Sequence, residues 1–308
     1  MPDIDTWGRS DLDRVVQVLN AASLYDTFAT DHVADAVFSD IDHEGDLLLC
    51  VREEGRNGQI VGVAAAVVRT RLVDDAPPIG FLKLFAVAPA SQHRGVGAAL
   101  LEEVERRLRE RGAGVVLIFG DAPFYLRPGV DFRLTPLVCF LLRHGFRVRD
   151  HAANMRVDLA ATRLDTTADE ARLHALGFTI RRLAADDAAA FRAYLEREWG
   201  WGWATEACRS LERDPISTHL ALQGGEIVGF ASCNASGPGQ FGPMGVRTEV
   251  RRHGIGGVLL KRCLADQRAQ GYADSDIQWV GPFGFYARYV DAVISRCFWQ
   301  FQKGGSTR

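Results

Sequence analysis

Two stretches, Gln92-His93-Arg94-Gly95-Val96-Gly97 and Arg251-Arg252-His253-Gly254-Ile255-Gly256, decide how this chain is read. Their central glycines, Gly95 and Gly254, stand 159 residues apart. Val87 and Val246, each closing an apolar run upstream, keep the same spacing. Further upstream, Gln59-Ile60-Val61-Gly62 resembles Glu226-Ile227-Val228-Gly229 at a slightly larger offset. The order of elements is kept while one connection changes length, which is the pattern of a duplicated domain. A length of 308 residues is comfortable for two domains.

Working outward, each copy reads as a strand, a glycine loop and an amphipathic helix. Gly80–Val87 and Phe241–Val246 have strand character. From Val96 to Arg111 the residues Leu100, Leu101, Val104 and Leu108 line one helical face, and Ile255–Gln270 repeats the pattern. A helix start exposes unpaired N–H groups and the positive end of the macrodipole, and glycine lets an anion approach the backbone closely. A pyrophosphate suits such a loop, with Arg94, Arg251, Arg252, His93 and His253 adding donors. The dinucleotide pattern GxGxxG is absent, because Leu100 and Leu259 fill the place of its third glycine, and no Gly-Lys-Ser/Thr follows.

The flanking elements agree between copies. Helices are expected over Asp11–Asn20 and His32–Phe38, strands over Asp46–Val51, Ile60–Arg69 and Val115–Phe119, a turn over Gly55–Gly58 and a short helix over Leu137–Leu142. The second copy offers Phe178–Leu183, His219–Gln223, Ile227–Asn234, Asp276–Val280 and Ala292–Gln302 as strands. Ala185–Glu196 and Gly284–Tyr289 read as its further helices. The polar segment from Ala160 onward reads as a linker. The expected division is residues 1–159, a linker over 160–176, and 177–308.

Composition narrows the setting. Apolar residues make up 47% and charged residues 24%, a globular balance, and a formal charge of −3 gives no basic field for nucleic acid. The six cysteines form no CxxC pair and no metal-ligand spacing with histidine, so no metal site is expected. Neither a signal peptide nor a membrane span is read from the sequence. Reduced cysteines and a cytoplasmic location are the expectation, with a homodimer open.

Phe85-Ala86-Val87-Ala88-Pro89 with Gln92–Ala98, and Gly245-Val246 with Arg251–Gly257, resemble the signature of the GNAT superfamily of acyl-CoA N-acyltransferases. Phe285-Tyr286 matches that family's Phe-Tyr near the final helix. The resemblance implies an α/β (α+β) fold of two tandem domains, each a mixed, splayed β-sheet flanked by helices. It implies acetyl-CoA as donor, held by Phe85, Ala86 and Val87 with Gln92, His93, Arg94, Gly95, Val96, Gly97 and Ala98 in the first copy. In the second copy the matching residues are Met244, Gly245 and Val246 with Arg251, Arg252, His253, Gly254, Ile255, Gly256 and Gly257. Tyr286 stands where the family often places a proton donor, although a packed aromatic beside Phe285 explains it as well. In the first copy the aligned stretch is Phe140-Leu141-Leu142, so leucine replaces the tyrosine and the second copy is expected to be catalytic. No carboxylate lies on Phe241–Val246 to serve as a base, leaving proton removal through water.

In that fold the acceptor enters beneath the connection between the first two helices, here Glu196–Trp203. Trp199, Trp201 and Trp203, separated by glycines that make poor helix, suit a flat wall for a sugar or ring, and Glu198 suits a cationic amine. Core capping by the same tryptophans is the alternative. Trp279–Arg288 with Arg296-Cys297-Phe298-Trp299, and Pro128–Asp131, are similar to tandem acetyltransferases acting on glucosamine or glucosaminides. The expected activity is acetylation of a small primary amine, the amino sugar included, by direct attack in a ternary complex. A non-catalytic acyl-CoA-binding module and a protein N-acetyltransferase are the competing readings.

Overall fold

Ile60–Arg69 and Ile79–Val87 are long β-branched and apolar runs, and they form β3 and β4 of one antiparallel pair, registered from Gly62↔Val87 to Arg69↔Ile79. The computed structural model describes residues 2–53, 58–70 and 77–305, so most of the Gly55–Gly58 turn lies outside the described residues. Two compact units arise: residues 1–152 with 298–308, and residues 153–297.

In the first unit β1 (Ile4–Thr6), β2 (Leu48–Arg52), β3 and β4 run antiparallel, and β5 (Val115–Ile118) joins β4 in parallel. The far edge is closed by the end of β13 (Val293–Gly304), paired with β5 from Phe301↔Ile118 to Gly304↔Val115. A short β6 (Val130–Asp131) pairs with the same strand. Gly129 lets the two backbones approach, since a Cβ there would lie 2.8 Å from the Trp299 carbonyl oxygen. Helices α1 (Leu12–Ala22) and α2 (Thr30–Phe38) pack Val15, Leu19, Val33 and Val37 on one face. The other face takes α3 (Val96–Glu110) and α4 (Thr135–Arg143).

The second unit starts inside β7 (Arg147–Asp158), a strand that the sequence reading did not foresee. Its latter half pairs with β12 (Asp274–Ile277) from Met155↔Ile277 to Asp158↔Asp274. β12 joins β11 (Gln240–Val246) in parallel. β10 (Glu226–Cys233), β9 (Thr218–Gln223) and β8 (Phe178–Arg182) follow antiparallel. Helices α6 (Ala188–Trp199) and α7 (Trp201–Cys208) cover one face, with α5 (Thr167–Ala175), α8 (Ile255–Ala269) and α9 (Phe283–Val290) on the other.

Three expectations change. The segment 160–176 is no free linker, because Leu164 and Leu173 are buried in the core of the second unit. Each unit also borrows its edge strand across the proposed 159/177 division, so the units are not two consecutive halves. The Trp-Gly-Trp stretch is helical, against expectation. Gly200, with φ +84°, breaks the chain between α6 and α7, and the burial of Ala204, Ala207 and Cys208 outweighs the low propensity of Gly202.

Among the described residues no helix is long and apolar enough to cross a membrane, and no group of three or more His, Cys, Asp or Glu side chains could hold a metal ion.

Phe301 is fully buried in the first unit although it lies at the far end of the chain. Phe301→Ala should therefore destabilise that unit by about 3–5 kcal/mol. Hydrogen exchange should show the loss of protection at β4 and β5, with β9 and β10 retained.

Candidate active site

The site is prepared by a parting of strands in each unit. β4 follows β5 only from Ile79↔Val115 to Leu82↔Ile118, and β11 follows β12 only at Gln240↔Asp276 and Phe241↔Ile277. Beyond these pairs the outer edges of Lys83–Val87 and Gly242–Val246 have no strand partner among the described residues. Their inner edges stay paired, Phe85 to Ala64 and Gly245 to Phe230. Phe85, Ala86 and Val87, and Met244, Gly245 and Val246, thus lie along a free strand edge that an extended amide-bearing ligand can join. A one-residue bulge sits at the parting in both units: between Leu82 and Leu84 in β4, and between Phe241 and Met244 in β11.

Both glycine loops take one geometry. Gly95 (φ +84°) and Gly254 (φ +87°) are left-handed immediately before Val96 and Ile255, the first helical residues. His93 (φ 58°) and Arg252 (φ 72°) are also left-handed. The Gln92 Nε2 donates to the Val87 carbonyl at 3.0 Å, and the Arg251 Nε donates to the Val246 carbonyl at 3.0 Å. These two side chains tie the loop to the strand, leaving the first-turn N–H groups of α3 and α8 without intrahelical acceptors. Val96 and Ile255 turn their side chains into the core, so only their backbone is available to a ligand. Arg94, His93, Arg252 and His253 stay exposed around the loops. One further cation joins the second loop: the Arg172 guanidinium from α5 reaches within 2.8 Å of where a Cβ on Gly254 would lie. The linker reading hid this residue.

Gly97 and Gly256 allow matching close contacts. A Cβ on Gly97 would meet Val87 and Phe140 at 3.5–3.6 Å; one on Gly256 would meet Phe285 and Met244 at 3.3–3.4 Å. Phe140 and Phe285 therefore correspond in space, which carries the alignment of Leu141 with Tyr286. Ala98 is half-buried, while Gly257 makes room for Tyr289, whose ring would lie 2.1 Å from a Cβ there. Leu141 is fully buried. Tyr286 packs edge-on against Phe241 and Phe285, with centroids 6.1 and 5.0 Å away, and burial pushes its phenol up to about 12.

On the α6–α7 side, Trp199 and Trp203 stack with centroids 5.0 Å apart and planes 10° from parallel. Trp199 lies against Gly245, where a Cβ would fall 2.4 Å from its ring. Trp201 is half-buried and takes no part in this stack. Glu198 is already engaged, accepting from Arg197 at 2.9 Å with Arg247 3.9 Å away.

Two groups of buried charge were not legible in the sequence. In the first unit Arg69 donates to Asp40 at 2.5 and 2.6 Å and to Asp42 at 2.8 Å. Lys83, at the β4 bulge, bonds Asp40 and lies 2.7 Å from Asp121. Burial raises the Asp121 carboxyl against the pull of Lys83 and Arg69. For Asp40 the burial effect is overcome by the same two cations, so its carboxyl stays below its usual range. In the second unit Glu206, on α7, is buried with the Ser236 hydroxyl as its hydrogen-bond donor, and burial pushes its carboxyl up to about 7.

The sequence profile of the acetyltransferase (GNAT) family matches residues 15–125 and 182–281, once in each unit. No curated protein matches the chain. Among solved structures, the glucosamine N-acetyltransferase region of a fungal multi-domain GH3 β-N-acetylglucosaminidase is 20% identical, with a TM-score of 0.79. That match covers 98% of this chain and 38% of the fungal one, so the chain spans less than half the length of this relative. A GCN5-related N-acetyltransferase from Sphaerobacter thermophilus is 17% identical with a TM-score of 0.67, covering 98% of this chain and 95% of that one. A tandem GNAT protein from the clavulanic acid biosynthesis pathway is 14% identical with a TM-score of 0.66, and both chains are covered in full. At these identities the likeness is one of fold.

Removing Lys83 strands buried carboxylates, so Lys83→Met should cost about 3–5 kcal/mol in urea unfolding. Glu206 has the opposite sign. Its folded carboxyl titrates near 7 against an ordinary 4.5, so the native state holds a proton that the unfolded chain has released between those values. Stability therefore falls as pH rises through that window, and the loss is complete above it. Glu206→Gln should raise stability by about 2–3 kcal/mol at pH 8 and by little near pH 4.5. Thermal unfolding at the two pH values measures the difference.

Proposed function

The chain belongs to the acetyltransferase (GNAT) family, and from that premise we propose that its second unit transfers the acetyl group of acetyl-CoA to the primary amine of a small molecule, an amino sugar fitting best. The observation that carries this reading is the coincidence, in the second unit alone, of the free β11 edge, the Gly254 loop and Tyr286. Pyrophosphate at the loop and pantetheine along Met244–Val246 would bring the thioester to the parting of the strands. A backbone N–H there would stabilise the oxyanion that forms when the amine attacks. The departing thiolate then takes a proton from Tyr286. A phenol near 12 stays protonated at neutral pH, so this donation runs together with proton loss from the reacting nitrogen.

The stacked Trp199 and Trp203 support a ring-bearing acceptor, because an aromatic face packs against the apolar face of a sugar. The fungal glucosamine N-acetyltransferase region of like fold supports the same class. The first unit keeps the loop but has Leu141, which carries no proton, and Lys83 at the parting. We read it as a CoA-binding partner without turnover of its own.

Acetyl-CoA turnover on D-glucosamine, other primary amines and a peptide N-terminus tests the reading. Glucosamine should be the better acceptor, and Tyr286→Phe should lower kcat by about 10²-fold with little change in KM for acetyl-CoA. Gly256→Glu should abolish turnover, whereas Gly97→Glu should remove one calorimetric acetyl-CoA site and leave turnover in place. A reversed pattern would assign catalysis to the first unit.

A further inference from the structure

The two units differ most at the one-residue bulge where the strands part. Leu82 and Phe241 are the last paired residues before the parting, so Gly242 stands where the first unit has Lys83. Gly62 and Gly229, paired with Val87 and Val246, align the inner strands, and counting from them puts Ser236 at the position of Arg69. Asp121 lies three residues beyond the end of β5, and Val280 lies three beyond the end of β12. Three of the four principal charged positions of the first unit are thus uncharged in the second. One carboxyl remains from the end of the second helix, Glu206, and it meets Ser236 much as Asp40 meets Arg69.

We propose that the second unit binds its acceptor as an ammonium ion in the space that the Lys83 side chain fills in the first, with Glu206 as counter-ion and as the base that takes the proton. This rests on the acetyltransferase reading above. A Cβ built on Gly242 would meet no atom within 4 Å, so the route from the bulge is open. The Lys83 ammonium demonstrates that this fold seats a primary ammonium beside a carboxylate at this place, with its side chain only 4% exposed. Glu206 has no such partner. The Ser236 hydroxyl is the side chain that donates to it, and burial is the larger influence on its carboxyl. A carboxyl buried without a cation holds its proton up to about pH 7, and a bound ammonium would favour its ionised form. Trp199, lying over Gly245 three residues along β11, places the aromatic wall next to the same space.

The proton balance is complete. The ammonium passes one proton to the Glu206 carboxylate, and the freed lone pair forms the C–N bond at the thioester carbonyl. The C–S bond then breaks, the thiolate takes the Tyr286 proton, and the tyrosinate recovers one from the nitrogen, giving the amide. Glu206 returns its proton to solvent, so each turnover releases one proton overall.

Calorimetry of n-butylammonium, the lysine side chain without its backbone, with the CoA-loaded full chain is the deciding measurement. Wild type should bind it, more tightly as pH rises through 7. Glu206→Gln should weaken binding at least tenfold while leaving the acetyl-CoA affinity unchanged. Equal affinity in Glu206→Gln, or no binding by wild type, would overturn the proposal. In turnover with D-glucosamine, kcat/KM should rise with pH on an acid limb with a midpoint near 7 and fall again as the free amine loses its proton, and Glu206→Gln should lose the acid limb and about 10²-fold in rate. Binding that depends on Glu206 without turnover of any amine would count against the acetyltransferase reading and leave the ammonium site standing.

Discussion

β11 holds β12 for two residue pairs and then leaves with one edge bare. Unpaired strand edges are ordinarily covered or blunted, because exposed N–H and C=O groups recruit other chains. Here the bare edge runs toward a helix whose first turn also lacks acceptors. Arg251 pins the two together by donating to the last carbonyl of the strand. An elongated ligand with amides in the middle and phosphates at one end satisfies both deficits at once. The small residues of the site follow from this demand for closeness: Gly245 yields to Trp199, Gly256 to Phe285 and Gly257 to Tyr289.

The first unit shows the same frame turned to another use. Its bulge carries Lys83 instead of Gly242, and the resulting cluster of Asp40, Asp42, Arg69 and Asp121 is almost sealed from solvent. Three carboxyls surround two cations, and burial raises the Asp121 carboxyl while Lys83 and Arg69 pull it down. A satisfied cluster of this kind fixes side chains in place but leaves no room for an incoming amine. The loss of chemistry proposed for this copy would have two separate marks, Leu141 in place of the proton donor and Lys83 in the space left beside Gly242 in the second.

Much of this frame was legible in the sequence. The paired glycine loops, the length of β3 and the register of the duplication follow from local rules: left-handed glycines, period-two apolar runs and amphipathic helices. Three features were not legible, each for a physical reason. β7 has an exposed first half, so Arg147, Arg149 and Asp150 conceal its strand character, while its latter half pairs with β12. The α7 helix is held by burial of Ala204 and Ala207, which overrides the low propensity of Gly202. Glu206 stands out as a lone carboxylate only once this helix turns it to a buried face. The cluster around Arg69 gathers residues from four separate elements, and such convergence is a property of the fold that no spacing along the chain encodes.

The second unit is contiguous, from residue 153 to 297, whereas the first takes the strand that covers β5 from residues 301–304. In a chain made from its amino terminus, residues 153–297 precede the strand that completes the first unit. The second copy can complete its sheet while the first still carries an open edge. A chain lacking residues 301–304 would expose that edge, so the borrowed strand ties the solubility of the first unit to sequence that lies beyond the second.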